Sequence, residues 1–543
     1  MIKILSNVNY DRLFDEVYAV DIAKYVLKNL QNNPPKSSLV SFLISFYGND
    51  LLKESNIRHA IINSLEDEKI KTLCNRMNVT PKKNIYDTTL MLATFSWNKS
   101  SGFPEALDEV LSFSIPEEYL PFGTDNISLP KIEKLYSAKR QELFDYQQNI
   151  SSQIIDFLNG NKVRTMVQMP TGSGKTKTTV CSIINQLNDS PNNAKNIIWL
   201  SHTSELCEQS LSSFKSNWLS FGEGLVYCYR MYSNYNLNRY EYKGGLIFAS
   251  LQKLFSLFKK SDDLFKNIST DCNIIIFDEA HKALAPTYKT LIDEIMLKSN
   301  NCKLIGLTAT PGRSSNEDLE LENKKLTRIF DNNLISIDFK EDNPVEVLIR
   351  DGILSKMTRK LINGSSNYKL NENDKSFIQQ NSEIPNTILK SLSKDYDRNN
   401  AIVNSIIKEH KNGKQCLVFA CSSLHSKVLS SMLNLKGVSS SSVTSDMNKL
   451  TRYRIIESFK EGQSDVLVNF GILTTGFDSP NIDALFITRP TSSIILYSQM
   501  IGRGLRGPKV GGNEECILYD VVDNIHGYGE QADIYEYFDG YWN

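Results

Sequence analysis

The sequence predicts an α/β protein in which two parallel-sheet domains stand in tandem behind an all-α region. Three observations carry this. From about Leu143 onward, short and nearly continuous apolar runs alternate with helical segments, the pattern of strands buried on both faces. The series is interrupted by a polar stretch, roughly Gly364–Asp397, and then begins again, giving two blocks of similar size. Ahead of both, apolar residues recur at spacings near three and four, and no strand-like alternation stands out.

In chain order, Leu13, Val17, Ile22, Ala23, Val26, Leu27 and Leu30 share a helical face that Pro34-Pro35 brings to a stop. Further helical runs are expected at Ser38–Phe46, Asn56–Met77 and Tyr86–Ser96, and Pro116–Pro130 reads as a linker. Residues 1–130 thus form a helical accessory domain whose apolar faces suit a self-contained bundle. The first α/β domain, 131–338, has expected strands at Val163–Gln168, Asn196–Leu200, Leu246–Ala249, Ile274–Phe277 and Leu304–Leu307. The second, 339–525, has them at Gln415–Ala420, Val438–Thr444, Asp465–Asn469, Ala484–Ile487 and Cys516–Val521. A tail, 526–543, carries Tyr535, Tyr537, Phe538, Tyr541 and Trp542, which are expected to dock on the protein's own core.

Composition narrows the function classes. The 543 residues balance 61 Lys and Arg against 62 Asp and Glu, so no domain-wide positive field exists. Any nucleic acid must be held by local patches and directed hydrogen bonds. No apolar run approaches a bilayer span, so no membrane is implied, and Met1–Tyr10 does not read as a signal peptide. The nine Cys form no CxxC pair and the six His no metal-ligand spacing. That suits a reducing cytoplasm and excludes a zinc ribbon or a disulfide framework. Glu66-Asp67-Glu68-Lys69 has nuclease-like carboxylates, but within a helical run it reads as a solvated face.

The chemistry is concentrated at two strand ends. After Val163–Gln168 comes Met169-Pro170-Thr171-Gly172-Ser173-Gly174-Lys175-Thr176, then an apolar helix. Small residues let successive backbone N–H groups turn onto phosphates, and the helix N-terminus adds partial positive charge. Lys175 is expected to reach the β and γ phosphates of ATP, and the Thr176 hydroxyl to hold Mg²⁺. The strand Ile274–Phe277 runs into Asp278-Glu279-Ala280-His281. An acid at the carboxyl end of a parallel strand faces the ligand crevice, so Asp278 is expected to hold Mg²⁺ through water. Glu279 is the candidate to polarise the attacking water, and His281 to couple the site to the partner domain.

With these residues, the chain from about Leu143 to Asn524 resembles a superfamily 2 helicase or translocase of the DEAH-containing kind. The resemblance implies two RecA-like domains and ATP hydrolysis with Mg²⁺ between them. Leu143–Gln147 resembles the adenine-sensing segment, with Gln147 as base reader and Phe144 where Arg is usual. Pro170, Thr171, Gly172, Ser173 and Gly174 then belong to the nucleotide site. Ser201-His202-Thr203 and Ser250-Leu251-Gln252 are similar to the motifs that meet nucleic acid, and Thr308-Ala309-Thr310-Pro311 to the one that links hydrolysis to strand movement. Leu417–Ser422 and Thr474–Pro480 resemble motifs IV and V, which implies that Gly476 and Asp478 meet the nucleotide. His202, Thr203, Ser250, Gln252, Ser422 and Thr474 are the implied backbone contacts, suited to reading phosphate rather than sequence. Gln499–Arg506 is similar to motif VI. There Arg503 and Arg506, three apart, are expected on one helix face, Arg506 as the finger on the γ-phosphoryl group, Arg503 as a supporting phosphate contact and Gln499 to position water.

Within the superfamily, Val468–Pro508 looks most like RadD-type repair helicases and the helicases of bacterial restriction and defence loci. That implies DNA as substrate, with roles in repair, restriction or antiviral defence. An RNA helicase and a nucleotide-dependent switch subunit that recruits a nuclease remain alternatives. A nuclease or sensor protein docked through residues 1–130 is a further expectation.

Overall fold

The computed structural model describes residues 1–18, 20, 23–27, 34–98, 101–111, 114–116, 119–120, 132–136, 143–188, 196–299, 301–310, 320–339, 342–364, 373–374, 377, 384–473, 481–491 and 493–522. Two sheets organise it, and both lobes are RecA-like in layout. The first lobe contains β1 (Ile132–Tyr136), β2 (Arg164–Gln168), β3 (Asn196–Ser201), β4 (Leu225–Met231), β5 (Leu246–Ser250), β6 (Cys272–Asp278), β7 (Lys303–Thr308) and β8 (Leu334–Ser336). Their order across the sheet is β1-β4-β5-β3-β6-β7-β2-β8. The β1–β4 pair is antiparallel and the remaining pairs are parallel.

The second lobe contains β9 (Lys356–Asn363), β10 (Cys416–Phe419), β11 (Ser440–Thr444), β12 (Val466–Phe470), β13 (Ala484–Ile487) and β14 (Glu515–Val522). They form an all-parallel sheet in the order β11-β12-β10-β13-β14-β9. The ten expected strands are present within a residue or two of their expected ends. Two strands that sequence reading missed are instructive. β4 is a seven-residue run, Leu-Val-Tyr-Cys-Tyr-Arg-Met, whose β-rich aromatics were a usable signal. β9 lies at a sheet edge with Lys356, Arg359 and Leu361 exposed, so it lacks the apolar run that marks a buried strand.

Alternate side chains send each sheet into two apolar layers. In the first lobe, Val167, Trp199, Phe248, Ile276 and Leu307 pack under the helices Asp145–Asn159, Lys175–Asn188 and Ser204–Phe221. Their neighbours Met166, Ile198, Ile247, Ile275 and Leu304 pack under Leu251–Lys259, Asp263–Thr270 and Pro286–Lys298 on the other side. In the second lobe, Leu417, Leu467 and Leu485 face the helices Lys449–Lys460 and Ile494–Ile501. Val418, Val468 and Phe486 face Tyr396–Lys411 and Ser423–Leu435.

The amino-terminal helices continue this last layer. The expected run Asn56–Met77 is divided into Ser55–Ile62 and Asp67–Arg76, with Glu66 extended between them. Ala23–Val26 and Lys36–Tyr47 lie against Ser423–Leu435. Phe42, Leu39 and Leu43 share one buried apolar cluster with Val428, Leu429, Met432 and Leu433 of the second lobe. The helices expected to form a self-contained bundle therefore bury one face on another domain, because the outer side of Ser423–Leu435 is itself apolar. Most of the expected linker and the whole aromatic tail lie outside the described residues.

Candidate functional site

The turn after β2 has the shape its glycines permit. Gly172 and Gly174 hold φ of +87° and +84°, a region that costs a side-chain-bearing residue energy. A Cβ on Gly174 would lie 2.5 Å from Gln147 Nε2. The Met169 N–H donates to the Thr308 carbonyl (3.2 Å), tying the loop to the end of β7. Ser173 folds back, its N–H and its hydroxyl both donating to Pro170 O at 3.1 and 2.7 Å. Lys175 and Thr176 then open the helix, so free N–H groups and the helix dipole point at the same space.

Gln147 behaves differently from the base reader that sequence implies. It is buried, and its Nε2 donates to Ser173 O (3.0 Å) while its Oε1 accepts from the Phe144 N–H (3.2 Å). The Tyr146 hydroxyl donates to the same Ser173 carbonyl at 2.7 Å. In this arrangement Gln147 supports the phosphate loop, and Tyr146 is a loop-holding residue that sequence reading did not single out.

Asp278 ends β6, one strand away from the loop across β7, and is only 6% exposed. Burial pushes its carboxyl up to about 6, the adjacent Glu279 charge adds to this, and Lys175 opposes it. Glu279 sits at φ +56°, a strained conformation of the kind found where structure over-determines a functional residue. Its N–H donates to Asp278 Oδ1 (3.0 Å). Burial would raise the Glu279 carboxyl, but His281, Lys175 and Lys282 together hold it below the usual range. His281 is driven down to about 4 by burial, so at neutral pH the two lysines carry that effect. The His281 ring reaches Glu279 Oε2 and Thr308 Oγ1 through Nδ1, each at 3.4 Å. Thr308 in turn donates to Thr310 O (2.7 Å). The expected coupling residues His281, Thr308 and Thr310 are thus brought together; Pro311 lies outside the described residues.

The donor set is a hydroxyl at Thr176 and a carboxylate at Asp278. Among the described residues no group of three His, Cys, Asp or Glu could hold a metal unaided. The hydroxyl and the carboxylate are hard oxygen donors, which fit Mg²⁺, an ion that binds through few protein oxygens and completes its shell with water and substrate phosphates.

The second lobe meets this surface closely. A Cβ on Gly502 would lie 2.0 Å from Thr171 Cγ2, and Gly172 packs near Leu354 and Leu505. The expectation of Arg503 and Arg506 on one helix face is corrected. The helix ends at Ile501; Arg503 lies in the 3-10 turn Gly502–Gly504, and Arg506 forms an antiparallel bridge with Leu354. The glycines favour this break, and the close approach to Thr171 requires one of them. Arg503 Nε donates to Gln499 O (3.2 Å). Gln499 Nε2 is buried and has no partner among the described residues.

The residues expected on the nucleic-acid face divide. Gln252 is exposed and donates to His202 O (3.4 Å). Thr203 caps the helix Ser204–Phe221 by accepting from Leu206 N–H, and Ser250 is nearly buried at the start of the next helix. The other two have side chains engaged within the protein. The His202 ring turns inward, its Nε2 2.7 Å from Lys282 Nζ. The Ser422 hydroxyl accepts from His425 N–H and meets Ser393, capping a helix instead of standing free. Thr474, Gly476 and Asp478 lie outside the described residues. Beside this face Arg452 of the second lobe pairs with Glu205 of the first at 2.9 Å. No described helix is long and apolar enough to cross a membrane.

Comparison with known proteins agrees with this layout. Residues 140–313 match the family model described as "Type III restriction enzyme, res subunit", and residues 397–507 the one described as "Helicase conserved C-terminal domain". The chain is 29% identical over 390 residues to the Saccharomyces cerevisiae protein bearing the name ATP-dependent helicase IRC3, covering 69% of this chain and 50% of that one. It is 27% identical over 395 residues to its Schizosaccharomyces pombe namesake, a mitochondrial ATP-dependent helicase by name, covering 71% and 58%. The chain thus spans about half the length of these curated relatives. Among solved structures, a fragment of an HsdR subunit of a type I restriction enzyme from Vibrio vulnificus superposes with a TM-score of 0.50 at 20% identity, covering 69% of this chain and 63% of that one. That likeness concerns the fold.

Proposed function

We propose that this chain is an ATP-driven helicase or translocase of superfamily 2 acting on DNA. One observation carries the reading: the glycine-turned phosphate loop, the Asp278–Glu279 pair and the Gly502 turn converge where the lobes meet. The loop N–H groups and Lys175 bind the phosphates of ATP. Thr176 and Asp278 would hold Mg²⁺, which would supply neutralisation of phosphate charge. Glu279, kept ionised by Lys175 and Lys282, accepts a proton from the attacking water. Arg503 and Arg506 come from the other lobe and meet charge on the γ-phosphoryl oxygens only when the lobes are closed. Gln499, whose Nε2 has no partner among the described residues, is assigned to position water there.

DNA is favoured over RNA because the first-lobe family model is drawn from a restriction-enzyme subunit, a class that acts on DNA. Hydroxyl, amide and backbone donors at the strand tops suit phosphate contacts without sequence preference. A role in repair, restriction or defence, in a reducing compartment that keeps nine buried thiols free, completes the reading.

The test measures ATP turnover in parallel with single-stranded DNA, forked DNA and RNA. DNA is expected to stimulate most, and stronger stimulation by RNA would replace the substrate assignment. Lys175→Ala should abolish ATP binding, whereas Glu279→Gln should retain ATP and lose turnover. Arg506→Ala should slow turnover within the range of about 10³–10⁵-fold known for arginine fingers. Near-normal turnover in Arg506→Ala would remove that residue from the site.

A further inference from the structure

Lys282 directly follows the acidic box, and His202 lies in the turn after β3. Nothing in their spacing along the chain connects them, yet Lys282 Nζ is 2.7 Å from His202 Nε2. Burial and the neighbouring ammonium hold the His202 ring neutral, down to about 4, so Nε2 accepts the hydrogen bond. The other ring nitrogen, Nδ1, is buried without a partner among the described residues, so Lys282 is the only hydrogen-bond tether found for the ring. The His202 main chain is also held, its carbonyl accepting from the exposed amide of Gln252. Lys282 for its part lies in the field of both Glu279 and Asp278, and its charge lowers both carboxyls.

Residue 202 therefore has one hand on the face assigned to nucleic acid and the other on an ammonium that serves the acidic pair. We propose that Lys282, through His202, is a positioning residue that couples nucleic-acid contact at the turns after β3 and β5 to ATP hydrolysis at Glu279. A shift of the 201–203 turn moves the imidazole, and Lys282 must follow or leave a half-buried donor unpaired. Its charge then moves relative to Glu279, which changes how well that carboxylate is held for the water. The inference rests on the reading of the protein as a nucleic-acid-stimulated ATPase.

The experiment uses the full chain and measures ATP turnover with and without homopolymeric single-stranded DNA. The variants are Lys282→Met, His202→Phe, the double variant, Lys282→Arg and His202→Gln. Lys282→Met and His202→Phe are each expected to cut the ratio of stimulated to unstimulated turnover by about fivefold or more, the scale of a modest coupling energy. The KM for ATP should stay close to the parent's, because neither side chain belongs to the phosphate loop. The double variant should be no worse than either single one, since both break the same link. Lys282→Arg and His202→Gln, which keep a donor and an acceptor, should recover most of the ratio. Full stimulation in both single variants, or losses that multiply in the double, overturns the proposal. If Lys282→Met fails to fold by circular dichroism, the contrast between His202→Phe and His202→Gln decides alone. An unstimulated parent overturns the functional reading together with this one, whereas a stimulated parent with equally stimulated variants overturns this one only.

Discussion

The two sheets are covered in different ways. The first lobe wraps both faces with helices from its own segment, Asp145–Asn159 to Ser204–Phe221 on one side and Leu251–Lys259 to Pro286–Lys298 on the other. The second lobe also has its own two layers, but the helix Ser423–Leu435 remains apolar on its outer side and is sealed by Ala23–Val26 and Lys36–Tyr47. Amino-terminal residues thus act as a third layer of the distant lobe. Among the described residues their shared apolar cluster is with the second lobe. The helix they cover, Ser423–Leu435, is capped by Ser422.

The largest effect that can break this comparison is truncation. A chain starting at residue 132 exposes the Val428, Leu429, Met432 and Leu433 surface and is expected to aggregate or lose its cooperative unfolding transition, as read by light scattering and thermal melting. A fragment of residues 132–339 should remain folded, because its sheet carries its own helices on both faces. If the truncated chain stays soluble and keeps ATPase activity, the amino-terminal helices are a separate module and the docking of a partner through them regains its footing.

Point substitution sharpens the contrast. Leu429→Ala and Leu291→Ala both delete a fully buried side chain, each costing about 2–5 kcal/mol by cavity formation. Their consequences should differ in place. Limited proteolysis is expected to release amino-terminal helices from Leu429→Ala and to leave them protected in Leu291→Ala. Equal protection in both would mean that the shared cluster does not hold the helices.

The smallest effect is at the rim. Lys427 Nζ stands 5.8 Å from the centroid of the Phe46 ring, across the junction of helix and lobe. Lys427→Ala should cost about 0.5–1 kcal/mol in denaturant unfolding, the value of a partly exposed cation–π contact. A change within error would assign this junction to apolar burial alone.

Local chemistry was readable in advance wherever the signal is a spacing. Two glycines before Lys175-Thr176, an acid at the end of an apolar strand, and apolar runs between helices each follow from backbone geometry within a dozen residues or so. The break at Gly502 was in plain sight but was overridden by the helical spacing of Arg503 and Arg506; Gly504 beside it was the clue. Tyr146 gave no signal, since an aromatic next to a helix start reads as core until its hydroxyl is seen on Ser173 O.

What the residues alone determined is therefore the list of parts: two parallel sheets, a phosphate loop, an acidic pair and a set of amphipathic helices. Their partners were decided only in three dimensions. Hydrophobic burial is non-directional, so the apolar face of Lys36–Tyr47 does not name Ser423–Leu435 as its cover. Hydrogen bonding is directional, yet a donor in the sequence does not name its acceptor. Gln147 could face adenine or Ser173, and His202 could face a phosphate or Lys282. Packing removes water from those sites, a buried polar group must then find a partner, and the nearest one offered by the fold settles its direction.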